Sequence, residues 1–412
     1  MSIRPSVLPA AQAAPATGRV RTGLVAQAGL LAAALTLYVL VLTQATQHPQ
    51  DLTAYLRAAS DVWNGRPLYA TFLHHPFFDP TLRPAFIYPP AFALLFAPLA
   101  LIPAQAATVL WLMLCQGCLI AAVVLVVRAQ RPGSWALAAL LCATFTFYPL
   151  WVDAIQGQAN LPILLLVTAG VLGTVRGRPA WAAALGVAAA FKLTPLLLLG
   201  WLLRERRFRE ALFLLAGFLA VTAAGAAIRL DDTVTFFGQV LPALARGTAF
   251  YGNQSLSGIF GRVISSNPYT YPWISTPLAG LVTLLAAMLL AGWWLWQSRH
   301  ATPLARALAF LPLLPLVSTI TWPHHLVILL PVIWLAILSL ARRSWPLPGT
   351  VCVAAVALLL TLVARWQVGP GFGQAGFRAA QTMDPLVFLA ANSLLIGTLL
   401  LFITAPWLLR SR

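Results

Sequence analysis

Long apolar runs, punctuated by arginines, recur along the whole chain. They cover residues 22–43, 105–128, 134–151, 160–175, 211–229, 276–298, 305–321, 326–341, 347–366 and 385–409. Several approach the roughly 20 residues that span a bilayer as a helix. Hydrocarbon offers no water to satisfy backbone groups, so each run is predicted to be helical. A shorter run, 88–102, is bounded by Pro90 and Pro103 with Pro98 between, and reads as a juxtamembrane or re-entrant helix.

Residues 179–203 need a different solution. They lie between Arg178 and the cluster Arg204, Arg206, Arg207 and Arg209, so both ends belong on the same side. One straight helix of that length would be about 37 Å long and would cross. Two arms of about 11 residues reach about 16 Å each, roughly half the bilayer core. The break falls at Lys192-Leu193-Thr194-Pro195, where the proline interrupts the helical ladder. The expectation is an all-α polytopic membrane protein of about 12 transmembrane segments including this short hairpin. It forms a single domain over 1–412, with a tail at 1–21, a first outer loop at 44–104 carrying juxtamembrane helices, and a second outer loop at 230–275.

Composition supports this reading. The chain is 60% hydrophobic and 8% charged, against roughly 25% charged for a soluble domain. The net charge of +17 raises the question of nucleic acid, but the basic residues cluster at span ends rather than on one face, which excludes nucleic acid as a partner and marks the cytoplasmic side. Of 26 basic residues only Lys192 is a lysine, a bias that fits a GC-rich bacterial genome. Arg4, Arg19 and Arg21 place the N-terminus inside, Arg410 and Arg412 the C-terminus. The first span is too long for a signal-peptide core and reads as uncleaved, so the chain is expected to be multi-pass in the bacterial plasma membrane. This topology puts seven of nine acids outside, with a span exit at Asp153, and leaves only Glu205 and Glu210 inside. The C-x-x-C spacing of Cys115 and Cys118 lies in an apolar run and reads as helix packing, not metal or redox chemistry.

Against this background a few polar residues stand out. Asp51 follows the first span at the outer mouth of the bundle and is a candidate catalytic base, with a helix cap as the plainer alternative. Tyr55, four residues on, shares its helical face and can orient the carboxylate or meet a sugar. Lys192 sits between apolar arms; a charge there costs roughly 2.5–3.5 kcal/mol, so it either snorkels or faces a wet cavity where its ammonium holds a phosphate. His324 and His325, after Trp322-Pro323, read as phosphate or sugar contacts or as an interfacial cap. His74 and His75 read as a solvated pair. The amides of Gln158, Asn160, Asn253 and Gln254 suit sugar hydroxyls and equally suit helix capping. No carboxylate pair has convincing magnesium geometry, so no metal or other cofactor is expected.

Taken in order, the strings Asp51 to Tyr55, Gly65-Arg66-Pro67-Leu68-Tyr69, Tyr88-Pro89-Pro90, Gln156 to Asn160, Lys192 to Pro195, Asn253 to Leu256 and Trp322 to His325 resemble a known family. It is that of the polyprenol-phosphate-mannose-dependent α-1,2-mannosyltransferases of the GT-C superfamily, which includes enzymes of phosphatidylinositol mannoside assembly. The resemblance implies a GT-C fold, Asp51 as the base, and a polyprenyl-phosphate-linked sugar entering from the bilayer. Relatives that transfer arabinofuranose leave the sugar open. The acceptor would be a cell-envelope glycolipid or glycan, met on the outer side. An inverting transfer needs a base on the acceptor hydroxyl and cations on the departing phosphate; Asp51 supplies the first, and Lys192, His324, His325 and Arg262 the second. The rival readings are a transporter or flippase of a lipid-linked glycan, which predicts internal repeats that this chain does not show, and a non-catalytic scaffold.

Overall fold

The computed structural model describes residues 17–47, 49–74, 84–343, 346–365 and 374–409, and among them every regular element is a helix. Arg4, His75, Asp79, Arg410 and Arg412 lie outside the described residues. The first helix already begins at Thr17, inside the segment expected to be tail.

Among the described residues five helices are long and apolar enough to cross a membrane: Val25–Ala45, Ala104–Gln130, Phe208–Ile228, Ala279–Gln297 and Pro323–Arg342. Two bent pairs, Ser134–Phe145 with Tyr148–Gln156 and Pro385–Ala391 with Ser393–Leu408, raise the number to seven if each counts as one span. The other expected segments are shorter apolar helices, among them Asn160–Val175, Pro303–Val317 and Leu347–Val363. The outer-loop sequences are themselves largely helical, with Gln50–Trp63 and Pro90–Phe96 in the first and Leu230–Thr235 and Leu256–Ile264 in the second.

Exposure is distributed as a bilayer requires. Ala279–Gln297 presents Leu281, Leu284, Met288 and Leu289 outward, the last 74% exposed. So large an apolar face is costly in water and neutral against lipid tails. Pro323–Arg342 is the opposite case: Leu326, Val327, Leu330, Trp334 and Leu338 are all buried, and this helix forms the centre of the bundle.

The chain breaks at Lys192 as the sequence suggests, with helix Ala182–Phe191 on one side and Leu198–Arg204 on the other. Both arms return to one end of Asn160–Val175. Gly173 of that helix packs on Trp181 at the start of the first arm, and Arg207, just past the second, donates to the Thr174 carbonyl at 2.8 Å. Lys192 lies at the other end, donating to Asn160 Oδ1 at 2.7 Å. The first arm is gripped by small residues. A Cβ built on Gly186 would stand 2.0 Å from the Leu214 carbonyl oxygen, and one on Gly217 would stand 2.4 Å from that of Ala183. Close backbone approach of this kind lets helices associate where no hydrophobic force drives them together.

One expectation is corrected here. Asp153, expected exposed at a span exit, is instead buried. The bend comes earlier, at residues 146–147, and helix Tyr148–Gln156 carries Asp153 inward to 1% exposure. The chain turns only at Gly157, whose left-handed backbone (φ +67°) closes a Schellman motif: Gly157 N donates to the Ala154 carbonyl and Gln158 N to that of Asp153. This turn seats directly on the start of Gln50–Trp63. A Cβ on Gly157 would meet Leu52 Cβ at 2.7 Å and Pro49 Cβ at 3.0 Å. The Trp111 indole fixes it from behind by donating to the Gly157 carbonyl at 3.0 Å.

Two outcomes follow. Gly157→Ala should destabilise the protein by about 1–2 kcal/mol from the left-handed backbone alone, with a further cost from the clash, seen as a lowered melting temperature in detergent together with loss of activity. Gly217→Leu has to separate two helices whose backbones touch, and overpacking of this kind costs about 1–3 kcal/mol or more; we expect poor recovery of folded protein, whereas Gly280→Leu, with open space at its Cβ, should leave recovery unchanged.

Candidate active site

Helix Gln50–Trp63 buries Leu52, Tyr55, Ala58 and Ala59 against Pro90–Phe96 and Ala97–Leu101. Asp51 sits in its first turn but does not cap it: the capping position is Pro49, and no side-chain cap bond forms. Its carboxylate instead receives Gln158 Nε2 at 2.6 Å. The other end of that amide faces Tyr55 Oη at 2.9 Å and Tyr88 Oη at 3.1 Å. A carboxylate accepts only, so the amide nitrogen must face Asp51. Burial pushes the Asp51 carboxyl above the usual carboxylate range, while the Gln158 hydrogen bond and the Lys192 charge pull it back down.

Tyr55 therefore reaches Asp51 through Gln158, not by direct contact along its helix. Its ring is packed edge-on against Tyr88 and Phe92, and only 2% of the residue is exposed. Tyr88 was noted in the sequence only as part of a string, yet it belongs to this cluster. The Gly65 to Tyr69 string is structural. Leu68 N donates to Asp232 Oδ1 at 3.0 Å, Arg229 holds Asp232 and bonds the Arg66 carbonyl, and Tyr69 Oη donates to the Tyr88 carbonyl at 2.6 Å.

Two residues beyond Gln158, Asn160 begins the next helix. Its Nδ2 donates to Asp153 Oδ1 at 2.7 Å, and its Oδ1 accepts from Lys192 Nζ at 2.7 Å. Lys192 then lines a cavity with Asn160, Thr194, Ser318, Thr321 and His325, closed by apolar Ile163, Pro195, Leu314 and Ile328. The Lys192 charge acts on Asp51, His324 and His325 alike, so all four converge on one region. Asp51 does not itself line the cavity; the 157–160 turn joins it to the cavity wall. His324 is 3% exposed and has no hydrogen-bond partner at either ring nitrogen among the described residues, and its ring stands 4.7 Å from that of His325.

The second outer-loop residues do not join this group. Arg262 is buried and donates to the carbonyls of Phe250 and Asn253 at 3.0 Å each and to Asn392 Oδ1 at 2.7 Å. Burial lowers its pKa to about 9. Asn253 bonds the Thr248 and Thr319 carbonyls and receives Ser255 and Thr321 N. Gln254 bonds the Tyr251 and Ala391 carbonyls and receives Leu395 N. These side chains are spent on protein partners, and what they build is the 318–322 loop that walls the cavity. Arg262, Asn253 and Gln254, expected at phosphate and sugar, meet protein groups here. Asp153 is the residue the sequence reading passed over. The available signal was its place seven residues before Asn160, in one string with Gln156, Gln158 and Asn160.

The model of "Glycosyltransferase family 87" matches residues 86–319, more than half of the 412 residues. A polyprenol-phosphate-mannose-dependent alpha-(1-2)-phosphatidylinositol mannoside mannosyltransferase of Mycobacterium tuberculosis is 28% identical over 348 residues, covering 78% of this chain and 76% of the relative. Its counterpart of the same name in Mycolicibacterium smegmatis is 30% identical over 324 residues, 71% of each. A pentamannoside mannosyltransferase of M. tuberculosis is 27% identical over 345 residues, 77% of this chain and 75% of the relative. No solved structure matches. A family match across most of the helical core, with relatives covering over two thirds of both chains, makes this protein a membrane glycosyltransferase belonging to glycosyltransferase family 87.

Proposed function

We propose that the protein transfers a mannosyl unit from a polyprenyl-phosphate carrier to a cell-envelope glycolipid, of the phosphatidylinositol mannoside kind for which its relatives are named, on the outer side of the plasma membrane with both termini inside. Asp51 accepts the proton of the acceptor hydroxyl. That oxygen bonds to the anomeric carbon as the bond from that carbon to the carrier phosphate breaks, with inversion. The phosphate leaves with the electron pair, and Lys192 and the His324–His325 pair meet its charge, so no metal is required for departure. The observation that carries this reading is the convergence of a carboxylate held ready by Gln158 and an ammonium held ready by Asn160, joined by a single four-residue turn. A flippase has no use for a base at this place.

Asp51→Asn should reduce transfer from polyprenyl-phosphate [¹⁴C]mannose in proteoliposomes by about 100- to 10,000-fold, the range of general base catalysis, with the melting temperature kept. Comparable turnover by both proteins would remove Asp51 from the role, and transfer from an arabinofuranosyl carrier but not the mannosyl one would reassign the sugar.

The base works ionised, and burial holds its titration above the ordinary carboxylate range. The rate should therefore fall as pH drops, along a limb lying above that range. Gln158→Leu removes a hydrogen bond that favours the ionised form, and its acid limb should move to higher pH. An unmoved limb would mean that another group governs the profile.

A further inference from the structure

Asp153 is a carboxylate with 1% exposure in a chain of nine acids, and the transfer step gives it no task. It does not line the cavity, and its carboxylate is held by Asn160. Its partners are specific. Oδ1 accepts from Asn160, and the same amide accepts from Lys192. A carboxylate can only accept and an ammonium can only donate, so the amide between them has one permitted orientation and acts as a rigid spacer. The backbone carbonyl of Asp153 also accepts from Gln158 N at 2.9 Å, so one residue braces both halves of the site.

We propose that Asp153 is a positioning residue for the donor: through Asn160 it supplies the countercharge that fixes the Lys192 ammonium toward the cavity without a direct ion pair. A buried ammonium without a countercharge is expensive. One paired directly with a carboxylate would have its charge more closely offset. The relay avoids both. Of the three donors on Lys192 Nζ one is used on Asn160 among the described residues, which leaves the others to meet an anionic oxygen. Among the described residues two carboxylates act on Lys192, Asp153 and Asp51. Asp51 becomes neutral when it takes the acceptor proton, so Asp153 is the one that remains a countercharge throughout the cycle. This proposal rests on the reading of Lys192 as the carrier-phosphate ligand.

The test measures binding of polyprenyl phosphate, the departing carrier itself, to the full chain in nanodiscs of neutral lipid, with melting temperature recorded beside it. Lys192→Met should weaken binding about tenfold or more, the scale of a lost charge-assisted hydrogen bond. Asp153→Asn should weaken it by a similar factor. The double variant Asp153→Asn with Asn160→Asp moves the carboxylate one step along the relay, restores the countercharge as a direct pair, and should regain part of the loss. Unchanged binding in Lys192→Met would sink the phosphate role and this proposal with it. Weakening in Lys192→Met but not in Asp153→Asn would overturn this proposal alone. Failure of the double variant to recover binding would leave Asp153 a purely structural residue, also against the proposal. If Asp153→Asn does not fold, recovery of both folding and binding in the double variant still supports the countercharge, and continued misfolding overturns it.

Discussion

Opposite charges this deep in an apolar protein would ordinarily collapse onto each other, and here they are kept apart by amides. Gln158 stands against Asp51, and Asn160 stands between Asp153 and Lys192. All ion pairs within 4 Å among the described residues involve arginine; the lysine has none. A salt bridge would satisfy the charges and also use them up. An amide spacer satisfies one hydrogen bond on each side and leaves the rest of each group available to a ligand. The 157–160 turn carries both spacers, so its geometry sets the distance between the proposed base and the proposed phosphate ligand.

Much of the fold can be understood as support for that turn. The left-handed Gly157 lets it lie on Pro49 and Leu52, and Trp111 holds it from the bundle side. The aromatic cluster of Tyr55, Tyr88, Phe92 and Phe96 closes over Gln158 and excludes water from its far side. On the opposite wall Arg262, Asn253, Gln254 and Asn392 form a hydrogen-bonded polar belt that shapes the 318–322 loop. Polar groups buried this completely cost little once paired, and they hold irregular backbone in place where it lines a cavity. His324 is a buried ring with both nitrogens unpartnered among the described residues and close to Lys192.

The hairpin shows how a membrane protein brings a charge inward without a charged helix face. The arms are apolar throughout, and the glycine contacts with Leu214 and Ala183 anchor the first arm by shape alone. The lysine sits where the helix breaks: its N–H donates to the Ala188 carbonyl, and its ammonium to Asn160. Placing break and charge at the same residue limits the polar burden on the bundle.

The sequence by itself determined the class of fold and the break at Lys192, and it singled out Asp51 as a candidate, because these depend on local rules: apolar run length, arginine placement, proline in a helix, and the rarity of acids. It also picked out the Gln156 to Asn160 string, as sugar contacts or helix caps. Tertiary structure alone decided what those amides do. Gln158 and Asn160 face protein charges, Arg262 and Asn253 turn into scaffold, and Asp153 leaves the surface for the interior. The reason is that an amide or a guanidinium has no preferred partner written in its own residue type; which donor meets which acceptor is fixed by contacts between segments more than a hundred residues apart, such as Asp51 with Gln158 and Arg262 with Asn392. Asp153 misled for a related reason. Hydropathy gives the cost of burying a lone carboxylate, and it is blind to the asparagine and lysine that a fold can bring to its side.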